Sequence, residues 1–172
     1  SIREVVSLPG QGLANASQPV LGYNYGAKQY QRVLKGIYFT TLTCFLTSFV
    51  LWLSITLFPQ LYIQIFSHNP DILKEGVQAI HLYFFGFFMM AFQMSGQSIA
   101  VGLGKSKQAV FFSIFRKVMI VVPLTFILPI YIGIQGVFIA EAISNFIGGG
   151  ACYLTMLLTI GKDLKKKVRT LK

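Results

Sequence analysis

The chain has 172 residues, of which 54% are hydrophobic and only 12% are charged, and its formal net charge is +10. The charged fraction is about half that of an ordinary soluble domain, and the high hydrophobicity excludes a disordered chain. Two cysteines are too few for a disulfide scaffold. The basic residues lie in clusters between long uncharged segments, a pattern typical of integral membrane proteins rather than of nucleic-acid-binding domains.

The N-terminal segment, residues 1–26, is moderately apolar but contains two prolines and several side-chain amides. Prolines remove backbone hydrogen-bond donors, and amides are costly in lipid, so the segment suits a helix that faces a wet cavity inside a bundle. It begins without a methionine. We interpret it as part of a helix whose beginning lies outside the chain.

Three further segments predict four complete transmembrane helices. Residues 36–67 and 76–104 contain no charge, and residues 118–161 contain only Glu141. One span needs about 20 apolar residues, so the first two segments hold one helix each and the third holds two. We place these helices at about 30–66, 72–103, 106–131 and 135–161, followed by a basic tail at 162–172. The predicted fold is an all-α integral membrane protein, a polytopic bundle of four complete helices and a partial one.

The distribution of lysine and arginine predicts the topology. The four connections and the tail carry 3, 1, 4, 0 and 6 basic residues in chain order. Because cytoplasmic loops are enriched in basic residues, we expect the first and third connections and the C-terminus to be cytoplasmic, and His68 to be external. The tail is either a solvated end that sets this topology or a helix that lays Leu164, Val168 and Leu171 on anionic lipid.

Residues that could support catalysis or metal binding are sparse. His68 and His81 have no partner histidine at metal-ligand spacing, and Cys44 and Cys152 lie in the middle of two different spans. No nucleophile–base–acid arrangement can be assembled by any spacing argument. We therefore predict neither an enzyme nor a metal site, and no cofactor beyond a coupling ion.

The predicted spans carry a few polar residues that could serve a function. Gln93 and Gln97 are four residues apart and share a helix face with Met90, which offers soft and adaptable surface. The alternative is that these side chains only join helices. Glu141 is the only acid placed inside or near the end of a predicted span, so it is a candidate ion-coupling residue. Its alternative interpretation is an acid solvated at the membrane interface.

Several motifs resemble those of the multidrug and toxic compound extrusion (MATE) transporters. Residues 18–28, Gln-Pro-Val-Leu-Gly-Tyr-Asn-Tyr-Gly-Ala-Lys, resemble the end of the eighth helix of that family. Residues 96–105 and 113–116, with Leu128-Pro129, resemble its tenth and eleventh helices. Residues 140–145, Ala-Glu-Ala-Ile-Ser-Asn, are similar to the opening of its twelfth helix, where many members have Pro and Asp in place of Ala142 and Asn145. The motifs occur in the family order and cover essentially the whole chain.

This resemblance implies a fold and a function. MATE transporters have two six-helix lobes around a central cavity and export amphipathic, often cationic compounds in exchange for Na⁺ or H⁺ by alternating access. The chain would be most of the C-terminal lobe, and its partners would be drugs or toxic compounds, membrane lipids and the N-terminal lobe. Some branches use an aspartate in the tenth helix for sodium, but residues 76–104 contain no acid, which argues against that branch and leaves the coupling ion open. Together with their polarity, the resemblance implies a set of cavity-lining residues: Asn15, Gln18, Tyr23, Asn24, Met90, Gln93 and Gln97.

Two other functions compete with drug efflux. A lipid-linked-oligosaccharide flippase of the same superfamily would need basic residues inside the spans, whereas here they lie at the span ends. A non-transporting membrane scaffold would assemble partners through its lipid-embedded helices. An upstream six-helix repeat in the gene would argue against the scaffold.

Overall fold

The computed structural model describes residues 2–65, 69–133 and 135–170, and all the regular elements in these ranges are helices. Helix α1 (Ile2–Gly26) contains both Pro9 and Pro19. A short turn leads to α2 (Tyr30–Leu57), which returns along α1. Lys28 in this turn has a φ of 56°, in the left-handed region that closes a tight reversal between helices.

The predicted helices at about 30–66 and 72–103 are each interrupted. α2 ends at Leu57, and Pro59 starts the short α3 (Pro59–Gln64), because a residue before proline disfavours the helical conformation and Phe58 adopts φ −127°. α4 (Pro70–Tyr83) and α5 (Met90–Gly102) are separated by Gly86, whose φ is +74°. A Cβ at Gly86 would lie 2.1 Å from Cε2 of Phe146, so this position requires glycine for both its backbone and its packing.

The last two predicted spans contain wider helical turns. α6 (Ser106–Ile114) continues through a π-helical segment, Phe115–Val121, into α7 (Val122–Ile132). Pro123, two residues beyond this segment, cannot donate the helical hydrogen bond to the carbonyl of residue 119, so one bond of the regular α-helix is missing here. α8 (Gln135–Met156) continues through a second π-helical segment, Leu157–Gly161, into α9 (Lys162–Thr170).

Length and apolar composition identify the segments that can cross a membrane. Three qualify among the described residues, namely Tyr30–Leu57, Gly76–Gly102 and Gln135–Thr170, and Lys117–Ile132 is a shorter apolar helix. Phe126, Ile130 and Tyr131 of α7 are 73–82% exposed, as expected of side chains that face lipid. The chain is therefore a multi-pass membrane protein. His68, which we predict to be external, lies outside the described residues.

Three clusters of buried side chains hold the bundle together, with α5 packed between α1, α2 and α8. One end is packed by large aliphatic side chains that include Leu21, Val33 and Leu164. The opposite end is packed by aliphatic and aromatic side chains such as Ile55 and Phe84. Between them the helices meet through the small residues Ala14, Cys44 and Ala91.

Candidate functional site

Polar side chains of α1 and α5 meet where the two helices cross. Gln18 Nε2 donates to Asn15 Oδ1 at 3.1 Å and to Ser98 Oγ at 3.2 Å. Ser98 Oγ in turn donates to Asn15 Oδ1 at 3.3 Å. The three side chains form a closed triangle, which we call the amide cradle. It joins residues about 80 positions apart through hydrogen bonds rather than charge.

Two glycines bring the helices close enough for the amide cradle to form. A Cβ at Gly102 would lie 2.9 Å from the carbonyl oxygen of Gln18. Likewise, a Cβ at Gly22 would lie 2.9 Å from the carbonyl oxygen of Gly102. Because any larger residue would meet backbone at these points, the two glycines set the distance between α1 and α5.

A cavity of about 170 Å³ lies beside the amide cradle. Gln97 Nε2 is buried and has no hydrogen-bond partner among the described residues. A buried donor without a partner costs about 1–3 kcal/mol, and an acceptor that reached this atom would remove that cost. Pro19 cannot donate to the backbone carbonyl of Asn15, which leaves a further acceptor in the same turn. The cavity is lined by Gln11, Ala14, Asn15, Gln18, Met94, Gln97, Ser98 and Val101.

Three of the predicted cavity residues, Asn15, Gln18 and Gln97, therefore come together. Sequence reasoning missed Gln11 and Ser98. Gln11 is four residues before Asn15 and seven before Gln18, so helical spacing could have identified it. Ser98 follows Gln97 directly and offers no such signal, because its role depends on how α5 is rotated toward α1.

The other four predicted residues do not line this cavity. Tyr23 is 79% exposed, and Asn24 Nδ2 donates to the carbonyl of Val20 one turn earlier at 2.8 Å. Gln93 is only 8% exposed, so it does not point into lipid, but it lies one turn from the cradle. Met90 packs against the core cluster at the opposite end of the bundle.

Glu141 forms an ion pair with Arg3 at the other end of α1. Arg3 Nη2 lies 2.6 Å from Glu141 Oε1, and the side chains are 27% and 12% exposed, respectively. Arg3 Nη1 also donates to the Tyr83 hydroxyl at 3.1 Å. The contacts join α1, α4 and α8, and the carboxylate is neutralised by a guanidinium within the protein rather than by solvent alone.

Histidine and cysteine side chains do not assemble a metal site in the described part of the chain. His81 Nε2 lies 3.1 Å from the carbonyl oxygen of Thr56. Cys44 and Cys152 are both buried and unbridged. Across residues 2–65, 69–133 and 135–170, no group of three or more His, Cys, Asp or Glu side chains could hold a metal ion.

Comparison with known structures shows what the fold is similar to. A MATE family transporter of the MOP superfamily, solved facing inward, matches with a TM-score of 0.87 and 22% identity over 96% of this chain and 38% of its own. The MATE multidrug transporter DinF-BH, solved in complex with a drug ligand, matches with a TM-score of 0.84 and 30% identity over 92% of this chain and 35% of its own. A MOP superfamily transporter from Pyrococcus furiosus matches with a TM-score of 0.87 and 21% identity over 95% of this chain and 37% of its own.

The chain thus spans less than two fifths of the length of these transporters, and it has their helical architecture. No curated protein matches the sequence. The sequence model of the MatE family matches residues 1–127, which include α1, α2, α5 and the whole of the amide cradle. On this match and on the shared fold, the chain belongs to the MATE family of membrane transporters.

Proposed function

We propose that this chain is most of the C-terminal lobe of a multidrug antiporter. Together with an N-terminal lobe, it would export amphipathic, often cationic compounds in exchange for Na⁺ or H⁺ by alternating access. Family membership supports transport. Similar MATE transporters solved facing inward and outward, and one in complex with a drug ligand, support alternating access and a drug as cargo. The chain would act as a transporter in the cell membrane, with its C-terminus in the cytoplasm, and not as an enzyme.

The observation that carries this proposal is the cavity beside the amide cradle. Its polar groups are amides and a hydroxyl, so they bind by hydrogen bonding and offer no fixed charge. Met94 adds a flexible apolar surface that adapts to different ligand shapes. Such a lining suits the polar and aromatic parts of varied compounds and not one charged group. A cationic substrate would need its counter-charge from outside this cavity.

Glu141 is the candidate for ion coupling within this chain. Coupling requires an ionisable group whose affinity for the ion differs between two states. Arg3 already neutralises the carboxylate at 2.6 Å, so a proton or Na⁺ would have to displace it. A coupling role for Glu141 therefore requires the Arg3 contact to break during the transport cycle.

Substitutions in the cavity test the proposal. Gln97→Leu removes the unpartnered donor at similar volume, and Ser98→Ala opens the amide cradle. Ser95→Ala is the matched control, because Ser95 lies in the same helix, is fully buried and bonds to the carbonyl of Phe92 in its own helix. We measure gradient-driven drug uptake in proteoliposomes that contain the chain together with an N-terminal lobe.

Loss of one good hydrogen bond to substrate predicts about a fivefold to tenfold rise in the apparent KM for Gln97→Leu and Ser98→Ala. Ser95→Ala should leave uptake unchanged. Equal uptake by all three variants and the unsubstituted protein would remove this cavity from the substrate path. In the same assay, gradient dependence that survives Glu141→Gln would leave Glu141 with a structural role alone.

A further inference from the structure

Helix α9 presents four cations on one exposed face. Lys162, Lys165, Lys166 and Arg169 are spaced three, four and seven residues from the first, so they share one side of the helix. All four side chains are exposed. Among the described residues, none of them lies within ion-pairing distance of an acid. We call this surface the cationic face of α9.

The opposite face of α9 is fixed to the bundle. Leu164 is only 1% exposed and packs in the core cluster that includes Leu21 and Val33. The apolar side of the tail is thus used for packing within the protein, so Leu164 is not laid on lipid. Leu171, which sequence analysis grouped with it, lies outside the described residues.

Polar contacts add to this attachment. Lys167 Nζ donates to the Tyr25 hydroxyl at 2.9 Å and lies 5.0 Å from the centre of the Tyr25 ring. Asp163 Oδ2 lies 3.4 Å from Lys105 Nζ and 3.5 Å from Lys167 Nζ. The only acid of α9 is therefore engaged by two cations and does not neutralise the cationic face. That face keeps a fixed orientation because the contacts behind it join α9 to α1 and to the start of α6.

From the length of the last span, we place the cationic face at the depth of the lipid headgroups. α9 continues the membrane-spanning α8 without a break, and Lys162 directly follows Gly161. At about 1.5 Å per residue, the seven steps from Lys162 to Arg169 rise about 10 Å. The polar headgroup layer is about 5–8 Å thick on each side of the hydrocarbon, and screened electrostatic attraction extends about 8–10 Å further at physiological salt. All four cations are within this range.

We propose that the cationic face of α9 binds the headgroups of anionic phospholipids in the leaflet where α8 ends. Four positive charges on a rigid helix complement a layer of phosphate-bearing headgroups, whereas zwitterionic lipids present no net charge to them. The binding is electrostatic and peripheral, because the apolar side of the helix is already buried in the protein. This proposal does not depend on the transported substrate.

Spin-labelled lipids provide the test. The protein is reconstituted in phosphatidylcholine vesicles, and electron paramagnetic resonance measures the association of spin-labelled phosphatidylglycerol relative to spin-labelled phosphatidylcholine. In one variant, Lys162, Lys165, Lys166 and Arg169 are replaced by glutamine. The matched control replaces four other exposed cations, Lys28, Arg32, Lys35 and Lys107, by glutamine and so removes the same net charge.

We expect the preference for phosphatidylglycerol to fall about threefold or more in the α9 variant and by clearly less in the control, because the control cations are spread over two connections and do not share one rigid helix face. In the unsubstituted protein, the preference for phosphatidylglycerol should also decline as NaCl is raised from about 0.1 M to about 0.5 M, because added salt screens exposed charges. An unchanged preference in the α9 variant, an equal loss in the control, or a preference insensitive to salt would each overturn the proposal. Circular dichroism of both variants checks that their helices are retained.

Discussion

The contact between Arg3 and Glu141 is the shortest ion pair among the described residues. Its two side chains are largely removed from water, and Arg3 has a second partner in the Tyr83 hydroxyl. Removing one member of a buried pair leaves the other charge without compensation, which costs more than the pair itself contributes. Removal of one residue of the pair should therefore destabilise the fold more than removal of both.

Substitution of Glu141 should expose this asymmetry. We expect Glu141→Gln to lower the free energy of unfolding by about 1–3 kcal/mol, because Arg3 is then left partly buried without a counter-charge. The double variant Arg3→Gln with Glu141→Gln should recover part of the loss. Glu4→Gln, at an exposed acid in the same helix as Arg3, should have no effect. Thermal unfolding in detergent compares these variants and the single variant Arg3→Gln with the unsubstituted protein, and strict additivity of the two single changes would contradict the pairing.

Individual polar residues could be predicted only in part. Spacing along α1 places Asn15 and Gln18 on one side, and the structure shows them bonded to each other. Asn24 was predicted for the same cavity but bonds to its own helix through Val20. A sequence indicates which residues share a helix face. It does not indicate whether a neighbouring helix lies opposite that face, and that depends on packing between distant segments.

At the scale of elements, the crossing of α1 and α5 depends on glycine. Gly102→Ala places a methyl group 2.9 Å from the Gln18 carbonyl oxygen, so the helices must separate. We expect a loss of about 1–3 kcal/mol in stability. Gly150→Ala is the control, because a Cβ at Gly150 meets nothing within 4 Å and alanine favours the helix. A thiol-reactive dye follows unfolding through the buried Cys44 and Cys152. Equal midpoints for the two variants would refute the close crossing.

The attachment of α9 should depend on pH through Asp163, which lies beyond the apolar part of the last span. Desolvation is the largest single effect and raises the pKa of Asp163, but the charges and hydrogen bonds of Lys167 and Lys105 together outweigh it and leave the pKa below its usual range. A lowered folded-state pKa stabilises the fold above the ordinary aspartate range, near about pH 4, and this contribution is lost as the pH falls through the lowered value.

Comparison with Asp163→Asn isolates this effect. The unsubstituted protein should unfold at a higher temperature than Asp163→Asn at about pH 7, and the difference should disappear as the pH falls below about 4. Because Asp163 is partly exposed, the difference will be small and should shrink in high salt. A difference that grows on acidification would reverse the sign and contradict the ion pairs.

Breaks within helices were harder to predict than the helices themselves. Pro59 is visible in the sequence, yet proline also occurs inside α1 at positions 9 and 19 without ending that helix. Gly86 is one of 16 glycines, and only the packing of Phe146 against it explains why the chain turns there. A long apolar segment in the sequence is enough to predict a membrane-spanning helix. The position of a break is decided by contacts with other helices.

For the molecule as a whole, orientation in the membrane can be tested by labelling. The alternation of basic residues among the connections predicts that Lys107 and the tail are cytoplasmic and that His68 is external. A cysteine at His68 should react with an impermeant thiol reagent on intact cells, and one at Lys107 should not. The native Cys44 and Cys152 are buried and give little background. The reverse labelling pattern would invert the topology.

Transport should require more than this chain. Alternating access needs one bundle to move against another around a shared site, and the chain spans only 35–38% of the compared transporters. We expect proteoliposomes with the chain alone to show no gradient-driven drug uptake, and those with the chain joined to an N-terminal lobe to show it. Uptake by the chain alone that is abolished by Glu141→Gln would contradict this expectation and make Glu141 the coupling residue.

The distribution of side-chain size along the bundle has a mechanical consequence. Large side chains pack both ends, whereas the fully buried residues of the middle layer are the small Ala14, Cys44 and Ala91, with Phe45 and Met94 packed at their margin. A close-packed interior transmits strain instead of absorbing it, so a tilt applied at one end reaches the other. We expect such a body to tilt as one unit about this middle layer, which includes Ala14 next to Asn15. Its two ends would then move in opposite directions, while a ligand held at the middle layer would move little.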